Sequence, residues 1–209
     1  MPILKINNKI CYFAHIPKCG GTSIENYCIR LGIKVSFLDK NYFLDQASTS
    51  WNISSPQHID GYSLSRLFPL DFFDYNFAVI RNPVTRLLSA FKFNILAKKI
   101  SKSTNLSDFV KRDLKEVSSQ LGAFDNHFLP QVKFLIPEMN YKIFKIENGL
   151  EEVKNFIDSK MLGAKSREQY FYENKTNTIQ LSENQQLELD DRALIVLKKI
   201  YYSDFQYYE

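Results

Sequence analysis

The chain has 209 residues, 44% hydrophobic and 24% charged, with a formal net charge of +4. That length buries one substantial core and predicts a single domain over residues 1–209, while the mild positive balance suits an anionic ligand but lacks the dense basic character that nucleic-acid binding requires. Cys11, Cys19 and Cys28 are odd in number without paired zinc-ligand spacing, and no signal-peptide or membrane-spanning apolar run is present, so a reduced, cytoplasmic protein with no membrane span is expected.

Residues 9–14 predict a buried strand and residues 22–31 an amphipathic helix ended by Gly32. Between them runs Pro17-Lys18-Cys19-Gly20-Gly21-Thr22-Ser23, the build of a phosphate cradle. Glycines let backbone N–H groups approach an anion, the helix start adds positive potential, Lys18 brings a mobile charge, and Thr22 and Ser23 supply hydroxyl donors. In a Walker A loop the lysine follows the glycines; here Lys18 precedes Gly20 and Gly21, which sets it at the mouth of the cradle, within reach of a bridging or leaving oxygen. An ordinary glycine-rich strand-to-helix turn is the structural alternative.

Residues 34–38 predict a short second strand, and residues 41–70, rich in serine and aromatics, an irregular stretch able to shape an acceptor cleft. Tyr42, Phe43 and Trp51 suit either stacking on a sugar ring or pinning this stretch to the core. His58, in the polar run Ser54-Ser55-Pro56-Gln57-His58, is the candidate general base, since imidazole titrates near neutral pH. Asp60 is a candidate to orient it, and a surface loop histidine is the alternative.

Residues 77–80 predict a buried strand and residues 83–95 a helix, with Pro83 suited to the first turn. Arg81 falls at the carboxyl end of that strand, where ligands gather in open α/β sheets, and Ser89 lies two helical turns on. If a ligand lies along that helix, Arg81 and Ser89 could hold a second anionic group beside the one expected at Lys18, implying a ligand with two separated anionic groups. Arg86, on the same helix, suits either a third contact or an exposed ion pair.

Residues 106–117 predict a helix, 141–146 a strand, 150–157 a helix, and 182–200 a final capped helix. His127 is a second histidine for the acceptor or a helix end, and His15 reads as a loop-shaping residue. Glu147 ends the later strand and suits a structural hydrogen bond. Lys165, Arg167 and Lys175 form a basic loop, either closing over a ligand or simply solvated. The repeated alternation of strand and helix predicts an α/β fold with a central parallel sheet flanked by helices.

The pair H-I-P-K-C-G-G-T-S and R-N-P-V-T-R-L-L-S-A-F resembles the two cofactor motifs of sulfotransferases, especially the carbohydrate branch that includes heparan and chondroitin enzymes. Weaker echoes run through Gln57-His58, residues 125–131, 144–148 and 174–176, and the terminal 201–205. The resemblance implies a P-loop-like sulfotransferase fold and 3′-phosphoadenosine 5′-phosphosulfate (PAPS) as donor, with no metal required. Pro17, Lys18, Cys19, Gly20, Gly21, Thr22 and Ser23 would surround the 5′-phosphosulfate, with Lys18 on the bridging oxygen. Arg81 and Ser89 would hold the 3′-phosphate. His58 corresponds to the loop histidine that such enzymes use in catalysis, and a hydroxyl, on a glycan, is the implied acceptor. Cys19 and Phe91 depart from the usual threonine and tyrosine, which touches local packing only. The competing classes are a P-loop-type kinase, which would need lysine after the glycines and an acidic magnesium ligand, and a non-catalytic nucleotide-binding protein on the same fold.

Overall fold

A computed structural model describes residues 2–42, 52–166 and 187–209. Its centre is a five-stranded sheet built from β1 (Ile3–Ile6), β2 (Lys9–Ala14), β3 (Lys34–Ser36), β4 (Tyr75–Ile80) and β5 (Lys142–Lys145), in the order β3-β1-β2-β4-β5. β2, β4 and β5 are mutually parallel, in register Ala14 with Ala78 and Ile80 with Lys145. The carboxyl ends of these three strands therefore open on one edge, where the loops after them meet.

The expected parallel sheet forms this half of a mixed sheet; β1 runs antiparallel to both β2 and β3. β1 lies outside the strands read from sequence. It is joined to β2 by Asn7-Asn8, with Asn7 at φ +50°, and asparagine tolerates the left-handed turn that a two-residue hairpin needs. Cys11, Tyr12, Phe13 and Ala14 of β2 are buried in succession, as are Phe77 to Ile80 of β4, because helices cover both faces of a parallel core.

The helices are α1 (Gly21–Arg30), α2 (Gly61–Ser65), α3 (Pro83–Leu96), α4 (Leu106–Arg112), α5 (Leu114–Val117), α6 (Glu151–Ile157), α7 (Asp191–Ile200) and α8 (Tyr202–Tyr208). The single helix expected over 106–117 breaks at Asp113, whose backbone φ of −108° departs from helical geometry. The final helix starts at Asp191, capped by Asp190, which accepts from the Ala193 N–H at 2.7 Å; residues 182–186 of the expected helix lie outside the described residues. Asn82 caps α3 by accepting from the Val84 and Thr85 N–H groups, with Pro83 at its first position. Leu87, Phe91, Phe109, Phe128, Leu197 and Tyr201 make a second apolar cluster that joins α3, α4 and α7. Burial of such side chains contributes about 2 kcal/mol each before entropy is counted. Among the described residues, no helix is long and apolar enough to cross a membrane.

Candidate active site

Past β2 the backbone turns at once, with the Ile16 N–H donating to the Ala14 carbonyl at 2.9 Å. Lys18 (φ +69°) and Gly20 (φ +83°) then adopt left-handed conformations on either side of Cys19. The first N–H groups of α1 have no carbonyl four residues back to accept them, so they are available at this turn. Gly20 suits its backbone conformation because it lacks a Cβ. Gly21 is needed for another reason: a Cβ there would sit 1.9 Å from His15 Nε2. Thr22 is partly exposed and Ser23 is buried in the first turn of α1.

A left-handed lysine costs roughly 1–2 kcal/mol. Two contacts hold it: Arg81 Nη1 donates to the Lys18 carbonyl at 3.2 Å, and Lys18 Nζ stands 4.1 Å from the centroid of the Phe93 ring. Burial, together with the Arg81 charge, lowers the Lys18 ammonium to about 8. The Cys19 thiol points away toward Gln131 Oε1 at 3.5 Å, and burial pushes it up to about 12, so it stays protonated at neutral pH. Only the backbone of Cys19 can then serve the cradle.

Arg81 bridges the two loops instead of standing apart from the first. Its N–H donates to Gln131 Oε1 at 2.9 Å, its carbonyl accepts from Gln131 Nε2 at 2.8 Å, and its Nε donates to Thr85 Oγ1 at 3.1 Å. The Gln131 and Val132 N–H groups donate in turn to Asp204 of α8. Glu147 accepts from the Asn82 N–H at 2.8 Å, so it fixes the turn into α3 as a structural hydrogen bond.

The exposed ion pair read for Arg86 is corrected. Arg86 is 1% exposed and donates to the Pro17 carbonyl at 3.1 Å and to the His127 and Leu129 carbonyls at 3.2 and 2.9 Å. Its fork is occupied in joining the cradle to the histidine segment. Ser89 is buried three residues further along α3, and Phe93 and Asn94 follow at the next turn, so these positions share a helix face.

All three histidines of the chain converge. The His58 ring lies 4.8 Å from that of His15 and 5.3 Å from that of His127, centroid to centroid. Each ring meets a partner through Nδ1. His15 Nδ1 stands 2.6 Å from Glu25 of α1, off the line of an ideal hydrogen bond. His58 meets Asp125 Oδ2 at 2.6 Å, and His127 meets Asn94 Nδ2 at 3.1 Å. Burial lowers the His15 imidazole despite Glu25. It lowers His127 well below its ordinary value, with the charges of His58, Lys18 and Arg86 acting the same way.

Asp125 is the orienting group for His58, a role expected of Asp60. Asp60 instead caps α2 by accepting from the Ser63 N–H at 3.0 Å. Asp125 accepts three bonds: His58 Nδ1, the Ser55 N–H at 2.5 Å and Ser55 Oγ at 2.9 Å. Burial alone would raise its carboxyl, but His58 and the Ser55 donors outweigh that and hold it below the usual value. Phe124, Asp125 and Asn126 all have positive φ, between +49° and +60°. Such a run of non-glycine residues persists only where its surroundings over-determine it. Here Asn126 accepts from the Gly122 N–H at 2.7 Å and donates to the His58 carbonyl at 2.8 Å.

His58 is 7% exposed, which removes the surface reading, and His127 is 3% exposed, follows the 3-10 turn Ala123–Asn126 as its C-cap and packs against Phe93 and Asn94. One ligand atom each from His58, Asp125 and His127 lies within 4.8 Å of the others, so the set is compact. Lys165 is exposed beyond α6, while Arg167, Lys175, Phe43 and Trp51 lie outside the described residues. Tyr42 donates to the Asn52 carbonyl at 3.1 Å. Asp125, Asn94 and Phe93 are the members that sequence reasoning missed as site residues. Only Asp125 had a signal, being two residues from His127 within a segment of weak likeness.

The family model described as "Sulfotransferase family" matches residues 5–209. No curated protein and no solved structure matches the chain.

Proposed function

Because the chain belongs to the sulfotransferase family, we propose that it transfers the sulfuryl group of PAPS to a hydroxyl, on a carbohydrate acceptor. The observation that carries this reading is the His58–Asp125 pair, buried in the same histidine cluster that Phe93 and Arg86 tie to the Lys18 cradle.

Sulfuryl transfer asks for three things: loss of the acceptor proton, an in-line sulfuryl group, and neutralisation of the departing phosphate. The Asp125 carboxylate accepts from His58 Nδ1–H, which leaves Nε2 as the basic nitrogen. His58 Nε2 takes the hydroxyl proton as the oxygen attacks sulfur, and the imidazolium formed is paired with Asp125. The bond from sulfur to the bridging oxygen breaks, and adenosine 3′,5′-bisphosphate leaves with its new charge facing Lys18 and the backbone N–H groups around Gly20 and Gly21. The lowered Lys18 ammonium recovers a counter-charge when the anion binds. Arg81 and Ser89 take the 3′-phosphate; the position of Arg81 on the cradle rim and of Ser89 on the inward stripe of α3 supports this. Thr22 and Ser23 complete the hold on the 5′ end. The acceptor's carbohydrate nature is supported by the wording of the two motifs, and the chemistry itself needs no metal.

The test is titration calorimetry with adenosine 3′,5′-bisphosphate in magnesium-free buffer. One-site binding that is lost in Lys18→Ala is the expected result. No heat at millimolar bisphosphate would overturn the reading, and turnover of ATP instead would move the chain to the kinase class.

A further inference from the structure

His58 and His127 stand side by side but are backed by groups of opposite kind. Asp125 has only acceptor oxygens when ionised, so its 2.6 Å contact draws the proton of His58 onto Nδ1 and leaves a lone pair on Nε2. Asn94, fully buried on α3, places its amide nitrogen 3.1 Å from His127 Nδ1 and 2.9 Å from the Ala90 carbonyl oxygen. The second contact decides which end of the amide faces the ring. Turned over, Asn94 Oδ1 would oppose the Ala90 oxygen, acceptor against acceptor. Asn94 therefore donates both hydrogens, His127 Nδ1 accepts one, and the single proton of the neutral ring resides on Nε2. A doubly protonated His127 would set N–H against N–H at Asn94, and its burial beside Lys18 and Arg86 opposes that charge.

We propose that Asn94 is a positioning residue that locks His127 as an Nε2–H donor, so that the site offers the attacking group one acceptor, His58, and one donor, His127. The inference rests on the sulfuryl-transfer reading for its consequence, though the tautomer assignment stands on hydrogen bonds alone. An alcohol fits such a pair. Its O–H donates to His58 Nε2, one oxygen lone pair accepts from His127 Nε2–H, and the other attacks sulfur. A neutral amine has a single lone pair, which the attack consumes, leaving nothing to accept from His127. The two rings are close neighbours, with centroids 5.3 Å apart, so one hydroxyl oxygen can lie against both. Through the reaction the hydroxyl proton passes to His58, the oxygen–sulfur bond forms as the bond to the bridging oxygen breaks, and His127 keeps its proton throughout.

Long-range ¹H–¹⁵N correlation of the full chain, with no ligand added and near neutral pH, reads the tautomers directly. With only three histidines, His58→Asn and His127→Asn variants assign the signals. The expected spectrum has His58 in the Nδ1–H form and His127 in the Nε2–H form; an Nδ1–H or doubly protonated His127 overturns the proposal. Asn94→Asp then replaces the donor by an acceptor. PAPS hydrolysis, with water standing in for the alcohol, should fall at least about 30-fold while bisphosphate affinity stays within about threefold. Unchanged hydrolysis in a variant whose His127 proton has moved to Nδ1 would refute the donor role. If Asn94→Asp does not fold, the spectrum of the unsubstituted chain still decides. Absence of bisphosphate binding would sink the transfer reading instead, and would leave the tautomer result standing.

Discussion

His58 Nδ1 lies 2.6 Å from Asp125 Oδ2, although the two residues are separated by 67 positions in the chain. The contact sets the imidazole tautomer and gives the imidazolium a partner once it forms. Asp125→Asn keeps the shape and removes the charge, so kcat should fall roughly 10²- to 10⁴-fold. Bisphosphate affinity should stay within about threefold, as measured by steady-state kinetics beside calorimetry.

The same carboxylate links folding to pH. Its folded value lies below the ordinary 3.8, so it contributes stability that is fully present above that value and is lost as pH falls through the lower folded value. Melting temperatures of wild type and Asp125→Asn should differ most above pH 4 and converge in stronger acid. A constant gap down to pH 2 would contradict this.

Lys18 predicts the pH dependence of binding. With its ammonium lowered to about 8, half the unliganded protein lacks that charge at pH 8, and anion binding restores it. The bisphosphate Kd should rise up to about tenfold per pH unit above 8. Lys18→Arg, charged throughout, should flatten the profile between pH 7 and 9.

Much of this framework was legible in the residues. The run Phe13-Ala14 into Lys18-Cys19-Gly20-Gly21 marks a strand entering an anion cradle, and β2 and α1 fall within a residue of their expected bounds. The hairpin of β1 was not read, although Asn7-Asn8 between two apolar runs signals it. Asp125 and Asn94 were hidden for a different reason. Their roles arise from contacts 67 and 33 positions away in the chain, and neither helical nor strand periodicity carries such pairings. Arg86 was misread because a lone arginine on an amphipathic helix is ordinarily solvated; here three carbonyls face it.

Arg86 gives a prediction of stability. Arg86→Ala leaves three buried carbonyls without this donor and should cost about 3–5 kcal/mol in denaturant unfolding. Arg86→Lys should recover little, since an ammonium lacks the planar fork.

Gly21 and His15 should be coupled. A methyl group at Gly21 collides with the His15 ring at 1.9 Å, so Gly21→Ala should destabilise the fold and weaken bisphosphate binding. His15→Ala makes room, and a double-mutant cycle should show a coupling of about 1 kcal/mol or more. Simple additivity would mean that the ring does not underlie the cradle.

Transfer of ³⁵S from labelled PAPS to a panel of sugars and glycans, run with wild type and with His58→Ala, tests the mechanism most directly. Label should move with the wild-type chain and not with His58→Ala, while both bind the bisphosphate equally. Transfer by His58→Ala at the wild-type rate would remove His58 as the base and contradict the account.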